Sequence, residues 1–573
     1  VRLPRLDPRY AAGRRRLQDR YAERSGLPDA SRLAYLRGPL QSWTVEQLAA
    51  VWAEARPVPG ALPAQNNVYV HVPFCKSICG FCNYERLRPS NPAWLRAWLD
   101  RLLASLAVLA PAVRQLEFHS LYVGGGTPST LPAPLLEELF TALDAALRWH
   151  PHASREFEFD PAVMSAQRLD VLKAHGVQRY SFGIQTLDPR VNAAHDRGAQ
   201  GIEVIERRFT ELAERGLEAV SCDFLLGLAG TTPDQVFGEI GTVLRRFRPE
   251  WIDVYLVTPT QTYVDSHFGG SHDAFWAHLR PFQDRAMQAL EALASAHRYR
   301  VIGGQGHRMS LCRPRSATGP SAHYSYSQLV NEQRRPLNLL GLGPSARTQI
   351  FGAAQVQTRD PGDTPDAPGP AHYEGHGVSL DDEIRTYLVH HLRDQNILDR
   401  PHFARVFGVD VVERVPRAVA AWQEEGILAL GDDTLALADQ DRLARTRSLL
   451  WLVPEEPLEH ELARRMQLDL SPQGVAQLLA PLPPGQTLAG GVRYLGSSQA
   501  RIRLRAESMD CSLRVAPPLT DDGPVRLVLD RVPEALVPAV TPAVRQLAAL
   551  VRRNHRALRG RQDQARHRDE LPP

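Results

Sequence analysis

Tyr69-Val70-His71-Val72-Pro73-Phe74-Cys75-Lys76-Ser77-Ile78-Cys79-Gly80-Phe81-Cys82 decides the reading of this 573-residue chain. Residues 68–72 form a β-branched, aromatic run that reads as a strand, and Pro73 closes it. Three thiols then fall within eight residues, spaced C-x3-C-x2-C. On one loop, such spacing lets three thiolates converge on a single inorganic centre. Iron–sulfur clusters normally take four thiolates. Three leave one iron open, and an open position is what a reactive centre needs to bind substrate. On spacing alone two other readings stay open. A zinc site wants four ligands, and His71 is the nearby fourth candidate. Three packed cysteines are the other.

The remaining composition narrows the class. Hydrophobic residues make up 43% and charged residues 23%, which excludes a disordered or fibrous chain. Net charge is +3, so no global field points to nucleic acid. Only two of the 67 basic residues are lysines, Lys76 and Lys173, a bias that carries no functional weight. Six cysteines are too sparse for a disulfide framework. Residues 1–16 are arginine-rich without an apolar core, so they do not read as a secretory leader. Val1 fits an alternative start codon or a truncated chain. The apolar stretch at 102–113 contains Pro111 and falls short of a bilayer span. The expectation is a reducing, cytoplasmic compartment with no membrane partner.

Outward from the cysteine loop, strand-like runs fall at 68–72, 120–123, 156–160, 179–184, 219–226 and 252–257. Amphipathic stretches lie between them, near 92–110, 134–148, 165–175, 201–215 and 233–247. This alternation predicts an α/β fold with a parallel sheet, and six strands fit a partial (βα)6 barrel. Chemistry in such a fold sits on the loops at the C-terminal strand ends. The expected organisation is a helical lead-in over 1–66, the barrel over 67–350, and a linker over 351–378 rich in Pro, Gly and Asp. A winged-helix-like unit follows over 379–452, then a small α/β unit with a basic tail over 453–573. The winged-helix-like unit lacks a dense basic stripe, so packing or substrate covering is favoured over DNA binding. From Arg552 onward seven arginines face three acids, which reads as a solvated helix end and tail.

C-x3-C-x2-C with an aromatic before the third cysteine resembles the radical S-adenosylmethionine (SAM) superfamily. The wider frame Y-x-H-x-P-F-C-x3-C-x-F-C is similar to its oxygen-independent coproporphyrinogen III oxidase branch. Residues 67–350 resemble the catalytic core and 379–452 the branch's C-terminal domain. The resemblance implies a [4Fe–4S] cluster on Cys75, Cys79 and Cys82. Its open iron would chelate SAM, and one electron would release a 5′-deoxyadenosyl radical. Phe81 is expected to shield the cluster, and Phe74 to do so or to sit in the core.

The same resemblance assigns the SAM contacts. Gly124-Gly125-Gly126-Thr127-Pro128 matches the segment whose backbone holds the SAM ammonium, where glycines permit close approach. Glu158 aligns with a SAM-contacting acid, and the choice over Glu156 rests on the resemblance. Gln185 falls in the matching G-I-Q-T segment, and without the other motifs a strand-capping glutamine is the preferred reading. Arg197 matches the arginine that pairs the SAM carboxylate, a task suited to a guanidinium fork. The flanking Asp196-Arg197-Gly198-Ala199 departs from the common pattern. Asp223 matches an acid on the nucleoside, and Tyr69 a cluster-proximal tyrosine. Tyr69 and Glu158 are the catalytic candidates. The segment 337–346 matches an LG-x-G element that could mark substrate or second-SAM contacts. His267, His272, His278, His307 and His323 show no metal spacing and read as solvated or packed. Cys222 and Cys511 read as strand packing, and Cys312 as a loop cysteine with a catalytic role open.

Three reactions compete on sequence. A class C methylation of a small unsaturated metabolite is favoured, because the C-terminal 120 residues and the lead-in suit a specialised enzyme. Coproporphyrinogen oxidation and a non-enzymatic haem chaperone are the alternatives. Tyr84 stands where the oxidases often carry another cysteine, and the chaperones' H-N-x-x-Y-W motif is missing. The partners implied are a small-molecule substrate and an electron donor such as flavodoxin or ferredoxin.

Overall fold

In the computed structural model thirteen strands share one sheet among the described residues. They are β1 (Gln41–Trp43), β2 (Gln65–Val72), β3 (Glu117–Gly125), β4 (Arg148–Glu158), β5 (Arg179–Gln185), β6 (Ala219–Leu226), β7 (Trp251–Leu256), β8 (Arg300–Gly303), β9 (Arg308–Cys312), β10 (Leu337–Leu342), β11 (Arg347–Ile350), β12 (Ala354–Arg359) and β13 (His372–Gly377). Their spatial order is β1-β13-β12-β11-β10-β2-β3-β4-β5-β6-β7-β9-β8. The structure describes residues 6–25, 30–37, 41–84, 86–89, 91–198, 200–217, 219–303, 308–314, 336–359, 371–394, 396–438, 442–455, 457–458, 500–506, 509–516 and 526–530.

Strands β2 to β7 are parallel and neighbour one another in chain order. They are the six strands read from sequence, and they form an open (βα)6 half-barrel. Parallel strands covered on both faces need apolar residues throughout. Val68, Val70, Val72, Phe118, Val123, Phe157, Tyr180, Phe182, Val220, Phe224, Ile252 and Val254 are all buried in one core. Three of the helices that follow barrel strands start at side-chain caps. Ser165, Thr232 and Ser271 accept from the first-turn amides of Ala166–Ala174, Pro233–Arg246 and His272–His297. The register pairs Val72 with Gly125, Glu158 with Ser181, and Gly183 with Asp223. The C-terminal ends of the strands therefore share one edge of the sheet.

Several boundaries differ from the sequence expectation. Strand β4 begins at Arg148, because Pro151 and the polar residues around it hide a strand start. The stretch expected as a linker contributes β12 and β13, with Ala354, Val356 and Tyr373 buried in the barrel core. The punctuation at 360–370 masked these flanking strands and lies outside the described residues.

The lead-in is not one element. The chain divides into two compact units, residues 1–6, 30–35 and 39–452, and residues 7–29, 36–38 and 453–573. In the first, β1 pairs with β13 and the helix Val45–Glu54 buries Val45, Leu48 and Trp52 in the barrel core. That helix starts at a reciprocal capping box between Thr44 and Gln47. In the second, the helix Pro8–Ser25 is tied to the chain after residue 452. Tyr10 Oη donates to Glu455 at 2.7 Å, and Arg14 donates to the Val453 carbonyl.

Residues 380–449 fold as helix Leu380–Asp394, strand Ile397–Asp399, helices Arg400–Phe407, Val411–Arg414 and Pro416–Glu424, hairpin Leu428–Leu430 with Thr434–Leu437, and helix Arg442–Leu449. The three strands form one small sheet. Strands Ala500–Ala506, Met509–Ala516 and Arg526–Asp530 form another, antiparallel throughout. The helices expected between 455 and 486 and at 541–558, and the basic tail, lie outside the described residues, as does the Cys511 side chain. Among the described residues no helix is long and apolar enough to cross a membrane.

Candidate functional site

The cysteine loop leaves the end of β2 and is anchored at both sides. Cys75 N donates to Leu87 O at 2.9 Å, and Leu87 N to Pro73 O at 2.7 Å. Gly80 N donates to His195 O at 3.1 Å, and Arg86 Nη2 to Cys79 O at 3.2 Å. None of Cys75, Cys79 and Cys82 is in a disulfide. Burial pushes the Cys75 thiol up to about 11 and also raises Cys79, and the charges of neighbouring thiols add to both shifts. Metal binding at these thiols therefore has to release protons. Among the described residues, the single His/Cys/Asp/Glu trio with ligand atoms within 4.8 Å of one another is elsewhere, at Glu117, His119 and His150. Thiolates on one zinc ion would sit about 3.8 Å apart. The three thiols are not gathered within 4.8 Å of one another, so they are not set for a single zinc ion. His71, the fourth zinc candidate, instead bonds Tyr69 Oη at 2.9 Å and packs its ring beside Gly125.

The glycine run closes one wall, and each glycine is required by contact. A Cβ on Gly124 would lie 2.6 Å from both Glu158 Oε2 and Tyr122 Cε1. Gly125 has φ +114°, and a Cβ there would strike the His71 ring at 2.8 Å. A Cβ on Gly126 would meet Phe74 O at 2.8 Å and Cys75 Sγ at 3.0 Å. Thr127 joins this run to the cysteine loop. Its amide donates to Phe74 O at 2.7 Å, and its Oγ1 lies 3.5 Å from Cys75 Sγ.

Glu158 meets this wall. Its Oε2 accepts from Gly125 N at 3.1 Å, and its Oε1 accepts from Tyr122 Oη. Burial pushes the Glu158 carboxyl up to about 7, although both hydrogen bonds favour its charged form. Tyr69 stacks on Tyr122, with ring centroids 5.9 Å apart. Glu156 is turned to another task and faces Arg179 at 3.6 Å. The geometry thus separates two acids that sequence spacing alone left equivalent.

Gln185 and Arg197 gather at Gly183, with Arg197 beside Cys79. Gln185 follows a register shift in β5 and has φ +66°, strained for a non-glycine residue. Its Oε1 is buried with no hydrogen-bond partner in the structure. Arg197 Nη2 donates to Gly183 O at 2.6 Å, its Nη1 lies 3.9 Å from Cys79 Sγ, and its Nε is likewise buried and unpartnered. Gly183 makes room for both, since a Cβ there would lie 2.3 Å from Gln185 Nε2. A buried guanidinium N–H and a buried amide oxygen without partners are groups awaiting a polar ligand. The residues present therefore fit SAM.

Asp223 sits on β6 level with Gly183 and with Asp253 of β7. Burial raises its carboxyl strongly, the charges of Asp253 and Glu158 raise it further, and Arg308 opposes. Sequence reasoning missed the pair that frames it. Arg308 grips Asp253 with Nε at 2.9 Å and Nη2 at 3.0 Å, and Trp251 and Ser310 also donate to that carboxylate. Fifty-five residues separate the two, so only sheet pairing could reveal them.

Other expected residues fall outside this constellation. Phe81 packs on a satellite apolar cluster with Val191, Leu228 and Tyr263, 6.1 Å from the His195 ring. Phe74 is core. Cys312 is not in a loop. It is buried in β9 opposite Trp251, at the strand-start end of β7 and away from the cysteine loop. In the 337–346 segment the glycines are structural, because Cβ atoms on Gly341 and Gly343 would strike Arg347 O and His71 O at 2.3 Å. His267 packs on His195 at 4.4 Å, while His307 and His323 lie outside the described residues.

Comparison with known proteins places this geometry. Residues 69–238 match the radical SAM superfamily. Over 203 residues the chain is 34% identical to the oxygen-independent coproporphyrinogen III oxidase of Cereibacter sphaeroides, covering 35% of this chain and 43% of that protein. Over 387 residues it is 25% identical to a haem chaperone of Bacillus subtilis, covering 66% of this chain and 96% of that protein. The chain spans about half the length of the first curated relatives it matches. The coproporphyrinogen III oxidase structure from Escherichia coli shares the fold, with TM-score 0.56 and 20% identity over 72% of this chain and 94% of that chain. The radical SAM superfamily uses a [4Fe–4S] cluster and SAM. The loop of three free thiols and the glycine wall thus lie in a span, residues 69–238, that carries a radical SAM domain, and the chain is similar to coproporphyrinogen III oxidases and haem chaperones.

Proposed function

We propose that this chain cleaves SAM reductively and turns the resulting radical on a porphyrinogen-type tetrapyrrole, as the name of its oxidase relative suggests. Arg197 carries the SAM half of the proposal. It is anchored to Gly183, lies beside Cys79, and keeps a buried N–H without a partner. Cys75, Cys79 and Cys82 would hold the cluster as thiolates. When bound, the cluster supplies the electron that breaks the S–C5′ bond and frees a radical able to take a hydrogen atom from substrate.

The other side chains position SAM. Arg197 takes its carboxylate by charge-assisted hydrogen bonds, and Gln185 Oε1, which can only accept, takes a donor of SAM such as its ammonium. The backbone of Gly124, Gly125, Gly126 and Thr127, together with Glu158, faces its ammonium. An ammonium beside Glu158 favours the carboxylate, so SAM binding draws the Glu158 proton off. Asp223 faces the nucleoside, and Tyr69 orders the floor between His71 and Tyr122. The reductant would be a flavodoxin or ferredoxin, and cytoplasmic chemistry suits the free thiols. Methylation gains no support from the relatives found.

A second reading, haem binding without turnover, is favoured by one observation. The haem chaperone of Bacillus subtilis aligns over 96% of its own length. Anaerobic incubation of the cluster-loaded protein with SAM, reductant and coproporphyrinogen III separates the two. Decarboxylated porphyrinogen formed in step with 5′-deoxyadenosine supports the first. Stoichiometric haem binding with no substrate-dependent 5′-deoxyadenosine supports the second and overturns the first.

A further inference from the structure

We propose a second metal site, for zinc, built by Glu117, His119 and His150 where β3 and β4 begin. One ligand atom from each side chain lies within 4.8 Å of the other two. The sheet brings them together. Glu117 pairs with Arg148 and Phe118 with Trp149, and the register then slips before Ser120. β3 spends one residue there, His119, where β4 spends four, 150–153, and the His119 ring lies against that of His150 across the slip.

The two imidazoles suit one ion. Their ring centroids lie 5.0 Å apart, the rings stacked with 20° between planes, so one ring must turn about χ2 to bring both nitrogens to one ion. Two imidazoles bound to one tetrahedral zinc at about 2.0–2.1 Å place their centroids on the order of 5 Å apart. Two histidines and a carboxylate are a donor set that zinc favours, with the fourth position left to water. Two contacts must yield. The Arg148–Glu117 pair, at 3.7 Å, has an arginine side chain 62% exposed and so contributes little. His150 Nδ1 accepts from the amide of His152 at 3.1 Å, and His152 is exposed, so water replaces that bond. A third imidazole, His152, lies 5.7 Å from the His150 ring.

This site is separate from the cysteine loop. His119 and Gly124 are five residues apart on one strand, roughly 16 Å at about 3.3 Å per residue. Bound zinc would add a clip at the start of the β3–β4 ladder, where the strands are already paired.

The test uses the full chain carrying Cys75→Ala, Cys79→Ala and Cys82→Ala, which removes the competing thiols. Zinc chloride is titrated against a chromophoric chelator, and cobalt(II) is bound in parallel for its visible d–d bands. The proposal expects one equivalent at micromolar affinity or tighter, weakened at least tenfold by His119→Ala or His150→Ala, with loss of the tetrahedral cobalt bands. Glu117→Gln and His119→Gln, which disturb packing less, should weaken zinc in the same direction and abolish the zinc-dependent rise in melting temperature. Equal zinc affinity and equal cobalt spectra in the parent and all four variants overturn the site, as does binding no tighter than millimolar.

Discussion

The Gly125 amide donates to Glu158 Oε2 at 3.1 Å across the β3–β4 pair, so the glycine wall and the carboxylate are one fixture. The Glu158 carboxyl is held up to about 7 by burial. Its ordinary value is 4.5. Between these values the folded chain binds a proton that the unfolded chain has lost. That contribution to stability is complete below 4.5 and is lost as pH rises through 7.

Melting temperature of the SAM-free protein should therefore fall from pH 5 to pH 8, and Glu158→Gln should flatten part of the slope. The difference between the two proteins should be on the order of 1–3 kcal/mol across the window. SAM should partly reverse the loss in the wild type alone. Differential scanning calorimetry at several pH values measures both.

Arg197→Ala should leave the cluster absorbance intact and weaken SAM by about tenfold to a hundredfold, the scale of one lost hydrogen bond to a charged group. Arg197→Lys should recover little of this, since an ammonium cannot donate to Gly183 O and to a carboxylate with the same fork. Equilibrium dialysis with SAM is the measurement.

Gly126→Ala should destabilise the fold by about 1–3 kcal/mol. The added carbon meets backbone at Phe74 and Pro73, which cannot rotate away, as well as Cys75 Sγ. Urea unfolding reads the loss, and the variant should incorporate less iron than wild type.

Arg308→Met should cost about 3–5 kcal/mol, because it strands the buried Asp253 carboxylate that the guanidinium now grips twice. Replacing Asp253 by Asn in the same chain should recover part of that loss, as a double-mutant cycle would show.

Much of the barrel was legible because most parallel strands hold a short apolar run with an amphipathic stretch behind it. The amphipathic stretches near 165–175 and 233–247 match the helices Ala166–Ala174 and Pro233–Arg246 to within a residue. Strands β12 and β13 were not legible, since Pro361, Gly362, Asp363 and Pro365 dominate the window between them. The start of β4 was hidden by Pro151. At the candidate site, loop-borne motifs such as Cys75-x3-Cys79-x2-Cys82 are contiguous and announce themselves. Arg308 with Asp253, and His119 with His150, are joined by sheet register alone, and no spacing rule finds them.

Reductive SAM cleavage is the account's central claim, and it is tested most directly by 5′-deoxyadenosine. The anaerobically reconstituted chain, given SAM and dithionite, should show cluster absorbance and release 5′-deoxyadenosine with methionine. Cys75→Ala, Cys79→Ala and Cys82→Ala should each abolish both signals. A cluster-loaded wild type that releases none under any reductant, or a cysteine variant that still does, would contradict the account.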